Sequence, residues 1–145
     1  MTPAAAAEPL TSKAFTVIDG NRIEIGGREV RLAGIAAPAL GQKCVLFGKT
    51  RDCGVIARSG LLDLTAGATV TCRQTGNQDG LATHRCRANG YDLSEGMVYT
   101  GWAVPLEKAP KAYWRVLKGA RARPRGFWRG RFVEPWTHVI RVSGD

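Results

Sequence analysis

No stretch of the 145 residues approaches the roughly 20 consecutive apolar residues of a membrane-spanning helix, so bilayer insertion is not expected. The opening MTPAAAAEPLTSKAF lacks both the basic segment and the apolar core of an export signal. Residues 1–13 therefore read as a flexible leader, expected to follow a signal peptide already removed, with Met1 supplied for expression. There is no C-x-x-C pair, and His84 and His138 are the only histidines, which makes a zinc site a poor reading of the four cysteines. Acidic residues thin out toward the end: from Lys108 onward only Glu134 and Asp145 appear. Carboxylates are also missing from VRLAGIAAPAL, residues 30–40, where an apolar strand runs into the kind of loop that usually carries chemistry.

What is present fits one ordinary globular domain, with 44% hydrophobic and 23% charged residues. Cys44, Cys53, Cys72 and Cys86 make an even set in a short chain, the usage of an exported, oxidised protein in the periplasm or outside the cell. The expected pairing is Cys44 with Cys53 and Cys72 with Cys86, the second stapling neighbouring strands. The net charge of +9 is uneven: ten basic residues lie from Lys108 to Arg141, among them Lys111, Arg115, Lys118, Arg121, Arg123, Arg125 and Arg129, while the first 107 residues are almost neutral. Such a third favours a polyanion, most often nucleic acid, unless it is only a solvated helix face.

Apolar and polar residues alternate over 14–18, 22–26 and 29–35, separated by DGN and GG, which predicts a three-strand meander with tight turns. CGVIARSGLLDLTAG has helical spacing and a glycine stop. Strands are predicted at 68–74 and 83–88, then a short helix from Ser94, its possible N-cap, and a longer one, PKAYWRVLKGARA, stopped by Pro124. Five strands with a helix between the third and fourth describe an α+β chain built on an OB-type barrel with about three packed helices.

The stretches VIDGNRIEIGGREVRLAGIAAPALGQKC, CGVIARSGLLDL, GATVTC, DLSEGMVYTGWAV and RGFWRGRF follow in order the pattern of the staphylococcal nuclease-like (thermonuclease) family, which the chain resembles from about residue 14 to 136. Residues 137–145 are left as a C-terminal tail. The resemblance implies a five-stranded OB barrel and, for active members, calcium-dependent cleavage of DNA or RNA. The cysteine positions look like those of exported bacterial members.

Laid over that pattern, the site is stripped. Where active members read Asp-Gly-Asp-Thr, this chain has Asp19, Gly20, Asn21 and Arg22; where they read Gly-Ile-Asp-Ala-Pro-Glu, Ala36 replaces a calcium-ligating Asp and Ala39 the general base. Leu81 stands at the position of a phosphate-clamping Arg, and Arg31 alone remains as the other catalytic Arg. Calcium needs several hard oxygen ligands, so neither that ion nor any other cofactor is expected. Loss of a general base alone costs ~10² to 10⁴ in rate, and loss of the cations removes the larger electrostatic effect.

The expectation is a thermonuclease-like protein without catalysis, binding nucleic acid or another polyanion through Arg22, Arg31, Lys111, Tyr113, Arg115, Lys118 and Arg121. OB barrels hold single strands by pairing basic grooves with aromatic stacking platforms, and Tyr113 and Trp136 are the expected exposed rings, with Trp102 and Trp128 in the core. Arg31 has a structural alternative, an ion pair with Asp19 or Glu29. Two other readings stand beside this one. One is an accessory subunit docking an acidic protein or polysaccharide in the cell envelope. The other is a nuclease rebuilt from Asp19, Asp79, Glu95, His84 or Arg85, although His84 reads as a strand-surface or edge residue and Asp79–Gly80 as a turn.

Overall fold

The computed structural model describes residues 8–132, so Trp136 and the expected tail lie outside the described residues. In chain order the elements are β1 (Leu10–Ser12), β2 (Phe15–Asp19), β3 (Arg22–Ile25), β4 (Arg28–Leu32), β5 (Ile35–Ala36), β6 (Lys43–Leu46), β7 (Lys49–Asp52), α1 (Cys53–Thr65), β8 (Val70–Gln78), β9 (Leu81–Ala88), β10 (Tyr91–Asp92), α2 (Leu93–Tyr99), β11 (Val104–Pro105), α3 (Lys111–Ala122), a 3-10 turn (Gly126–Arg129) and β12 (Arg131–Phe132).

The fold is mixed α+β, with a strand-rich main sheet ordered β1-β8-β9-β4-β3-β2 and three helices. The β2–β3–β4 meander is antiparallel, and Gly26 and Gly27 take φ values of 60° and 74° in its second turn, the left-handed pair a two-residue hairpin requires. β4 then runs parallel to β9, with Arg31 opposite Thr83 and Leu32 opposite His84. Two departures from expectation concern the edges. Leu10–Ser12, assigned to the leader, pairs with β8 instead, because Leu10 finds a register place opposite Cys72. No ladder among the described residues closes β2 onto β8, so the sheet is an open path and not the closed five-stranded barrel expected.

Ile23, Val30, Leu32, Ile35, Leu61, Val70 and Phe127 are buried in one core, each aliphatic side chain contributing about 1.5–3 kcal/mol relative to exposure. Cys72 joins Cys86 across the β8–β9 ladder, and Cys44 joins Cys53, tying β6 to the start of α1. Trp102 stacks edge-on against Phe127 at 4.9 Å, and Gly60 leaves room on α1 for the indole.

Asp52 caps α1, its carboxylate accepting from Val55 N at 3.1 Å, while the same group accepts from Gly41 N. The cap of α2 is Asp92 and not Ser94: Asp92 Oδ1 accepts from Ser94 N and Glu95 N. Ser94 is buried and donates to Ala33 O at 2.7 Å, tying α2 to the chain after β4. Glu95 sits in the first turn of α2, where an acid complements the helix dipole.

Candidate functional site: a neutralised turn beside a basic groove

The β2–β3 turn places Asp19 almost out of solvent, 4% exposed. Its carboxylate accepts from Asn21 N at 3.0 Å and from Arg22 Nε at 2.8 Å. Arg22 reaches on to Glu29 at 3.2 Å, so one guanidinium bridges two carboxylates. Arg31, directly opposite Arg22 in the ladder, takes Asp79 at 3.7 Å instead of the Asp19 or Glu29 offered as its structural partners. Its Nε is buried without a hydrogen-bond partner among the described residues.

The bare loop packs closely around this turn. A Cβ on Gly20 would lie 2.7 Å from Ala57 Cβ and 2.9 Å from Ala37 Cβ, so turn, loop and α1 meet without room for larger groups. Ala36 is on β5, paired with Val104, and Ala39 N donates to Gln42 Oε1 at 2.6 Å. A Cβ on Gly54 would collide with Ala39 O, which shows how tightly the loop lies on the start of α1. Leu81 opens β9 two residues before Thr83, the register partner of Arg31, and therefore shares its face. Asn21, Arg22, Arg31 and the Ala36–Ala39 loop thus lie close to one turn.

Asp19 is bound by Arg22, Asn21 and Ala36 offer no carboxylate, and Asp79 lies 83% exposed against Arg31. Among the described residues no cluster of three or more His, Cys, Asp or Glu is arranged to hold a metal ion. His84 is buried, contrary to the strand-surface expectation, because its place on β9 faces the core beside Leu32; burial pushes its imidazole pKa down.

The second part of the site is α3. Tyr113, Leu117 and Ala120 form its buried stripe, leaving Lys111, Arg115, Lys118 and Arg121 exposed. Tyr113, expected as an exposed platform, is therefore corrected to a core residue: its hydroxyl donates to Asp92 Oδ2 at 2.5 Å, and burial first, then that carboxylate, raise its pKa. The ring of α3 that faces a groove is Trp114. With Val104, Pro105, Leu117, Lys118 and Arg121 it lines a groove of about 620 Å³. Arg121 also lies over the Trp128 ring, 5.1 Å from its centroid. Lys111, Arg115 and Lys118 have no carboxylate within ion-pair distance among the described residues.

The two parts adjoin, since Val104 lines the groove and pairs with Ala36 of the bare loop. Helical period was the signal that separates the rings: 113, 117 and 120 fall on one stripe and leave 114 to the side. Asp92, which joins α2, α3 and Arg85, was missed as the cap although Asp followed three residues later by Glu95 is an N-cap signal.

No family model matches the chain. The succinoglycan biosynthesis protein ExoI of Rhizobium meliloti (strain 1021) is 34% identical to it over 131 residues, 87% of this chain and 68% of that protein. With that identity and coverage, the chain belongs to the family of the succinoglycan biosynthesis protein ExoI.

Proposed function

We propose that the chain is a thermonuclease-like OB-fold protein that has lost hydrolysis and binds a polyanion along α3. The observation that carries this reading is the row Lys111, Arg115, Lys118 and Arg121, exposed beside Trp114 and unmatched by carboxylates among the described residues. Charge of one sign next to an indole suits an anionic chain with flat units, by ion pairing and stacking together.

The OB reading is supported by the parallel β4–β9 ladder and by the short Lys13–Ala14 link: one bent stretch of chain pairs β1 with β8 and β2 with β3, the two ends of the sheet. The Arg22 bridge supports loss of hydrolysis, because the remaining carboxylates of the turn are neutralised from within. Two disulfides favour an oxidising compartment, periplasmic or extracellular.

The relative's name, a succinoglycan biosynthesis protein, adds a second reading of the ligand beside nucleic acid, an acidic polysaccharide bound by an accessory subunit. Anisotropy titrations of a labelled single-stranded oligonucleotide and a labelled carboxylated oligosaccharide across a salt series separate the two. On the oligonucleotide, the Lys118→Ala/Arg121→Ala variant should flatten the log–log salt slope by about 1.4, at ~0.7 per phosphate contact. Tight binding of the oligosaccharide alone assigns the polymer as carbohydrate. Binding of neither, or no change in the double variant, rejects the α3 site.

A further inference from the structure

A second cleft, of about 520 Å³, lies on the other flank of α3, where Val116 replaces the basic groove's Lys118 and Arg121 as the helix's contribution. Its composition is the reverse of its neighbour's. Leu64, Leu93 and Val116 are its apolar lining, Tyr91 and Tyr99 its rings, and Asp92 and Glu95 its charges, with no Lys or Arg among the lining residues.

The two tyrosines are open, Tyr91 at 76% and Tyr99 at 53% exposed, as is Phe47 among the described rings. Tyr99 is held in place: Arg125 Nε donates to its carbonyl at 2.6 Å, and the guanidinium lies 4.1 Å from the ring centroid. The two carboxylates differ. Asp92 is occupied by the α2 cap, Tyr113 and Arg85, whereas Glu95 has no ion-pair partner among the described residues. At Gly96 a Cβ would stand 3.1 Å from Leu64 Cδ1, so α2 lies close against Leu64 at the floor of the cleft.

An occupant must offer an apolar face to the rings and hydrogen-bond donors to a carboxylate, which only accepts. Anions are opposed by the unpaired Glu95, and cations by the Arg125 guanidinium that already lies over Tyr99. A pyranose has a C–H face and hydroxyl donors and no charge. We propose that this cleft binds an uncharged saccharide unit, its C–H face against Tyr91 and Tyr99 and its hydroxyls donating to Glu95. The site is separate from the basic groove and stands whether or not α3 binds a polyanion.

The test is an amide-resonance titration of the whole protein with uncharged tetrasaccharides of glucose, galactose and mannose. At least one should give saturable shifts confined to Leu64, residues 91–100 and Val116, unchanged by added salt. Tyr91→Ala, whose exposed ring leaves folding intact, and Glu95→Gln should each weaken binding about tenfold. Lys118→Ala/Arg121→Ala should bind the sugar as the parent does. The proposal is overturned if none of the three sugars saturates, if Tyr91→Ala binds equally well with an unchanged melting temperature, or if spermidine shifts these resonances and the sugars do not.

Discussion

Removing Arg22 tests whether the β2–β3 turn is a neutralised structural cluster. In the parent, Arg22 serves Asp19 at 2.8 Å and Glu29 at 3.2 Å, and Asp19 is 4% exposed. Arg22→Ala leaves the Asp19 charge buried with only Asn21 N as donor. Breaking a fully buried pair from one side costs roughly 3–5 kcal/mol. Arg22 is about one-third exposed, and Glu29 more so, so water screens part of the loss and about 2–3 kcal/mol is expected. For a domain of this length that is roughly 10 °C in melting temperature. Asp19→Asn keeps an acceptor for Asn21 N and removes the charge, so Arg22→Ala/Asp19→Asn should be more stable than Arg22→Ala alone. Urea unfolding of the parent, both single variants and the double gives the coupling, expected at about 1–2 kcal/mol. Coupling near zero, or an Arg22→Ala protein as stable as the parent, would refute the reasoning.

Three further outcomes follow from the same contacts. His84 is held neutral by burial, opposed by its backbone hydrogen bond to Ala82 and helped by the Arg28 charge; the unfolded chain therefore binds the extra proton. Stability should be complete above the ordinary histidine value of 6.5 and decline as pH falls below it, and His84→Leu should flatten that limb of a urea-midpoint against pH curve. Asp52→Ala removes the α1 cap and the Gly41 tie, costing about 1–2 kcal/mol by chemical denaturation. Because hydrogen bonding to Val55 N holds the Asp52 pKa below 3.8, that contribution should fade only as pH falls through the carboxylate range. Reducing Cys72–Cys86, which closes a 14-residue separation, should cost about 3 kcal/mol, and a protein whose midpoint ignores reductant would contradict it.

The meander, α1 and α3 are legible in the sequence because each is bounded by residues with fixed backbone demands: GG after β3, Gly67 after α1, Pro124 after α3. β8 and β9 extend beyond their expected ends, to Gln78 and from Leu81, because Asp79 and Gly80 form a two-residue turn at φ 51° and 77°. The intervening TGNQ has no apolar alternation, so pattern alone places it in a loop. The β6–β7 hairpin escaped for a similar reason: its turn puts Phe47 at φ 54°, where a phenylalanine gives no turn signal. At the site, the missing carboxylates could be read from residue identities. Arg22's double ion pair, the burial of Tyr113 and the groove at Trp114 depend on packing between segments distant in sequence, which no local pattern encodes.

The central claim, binding without cleavage, is tested most directly by following a labelled single-stranded oligonucleotide with the protein for hours in calcium, beside a chelated sample, by anisotropy and by product length. The account predicts a stable rise, the same in both samples, with the oligonucleotide intact and the rise diminished by Lys118→Ala/Arg121→Ala. An anisotropy that falls in calcium alone, with shortened products, would contradict it.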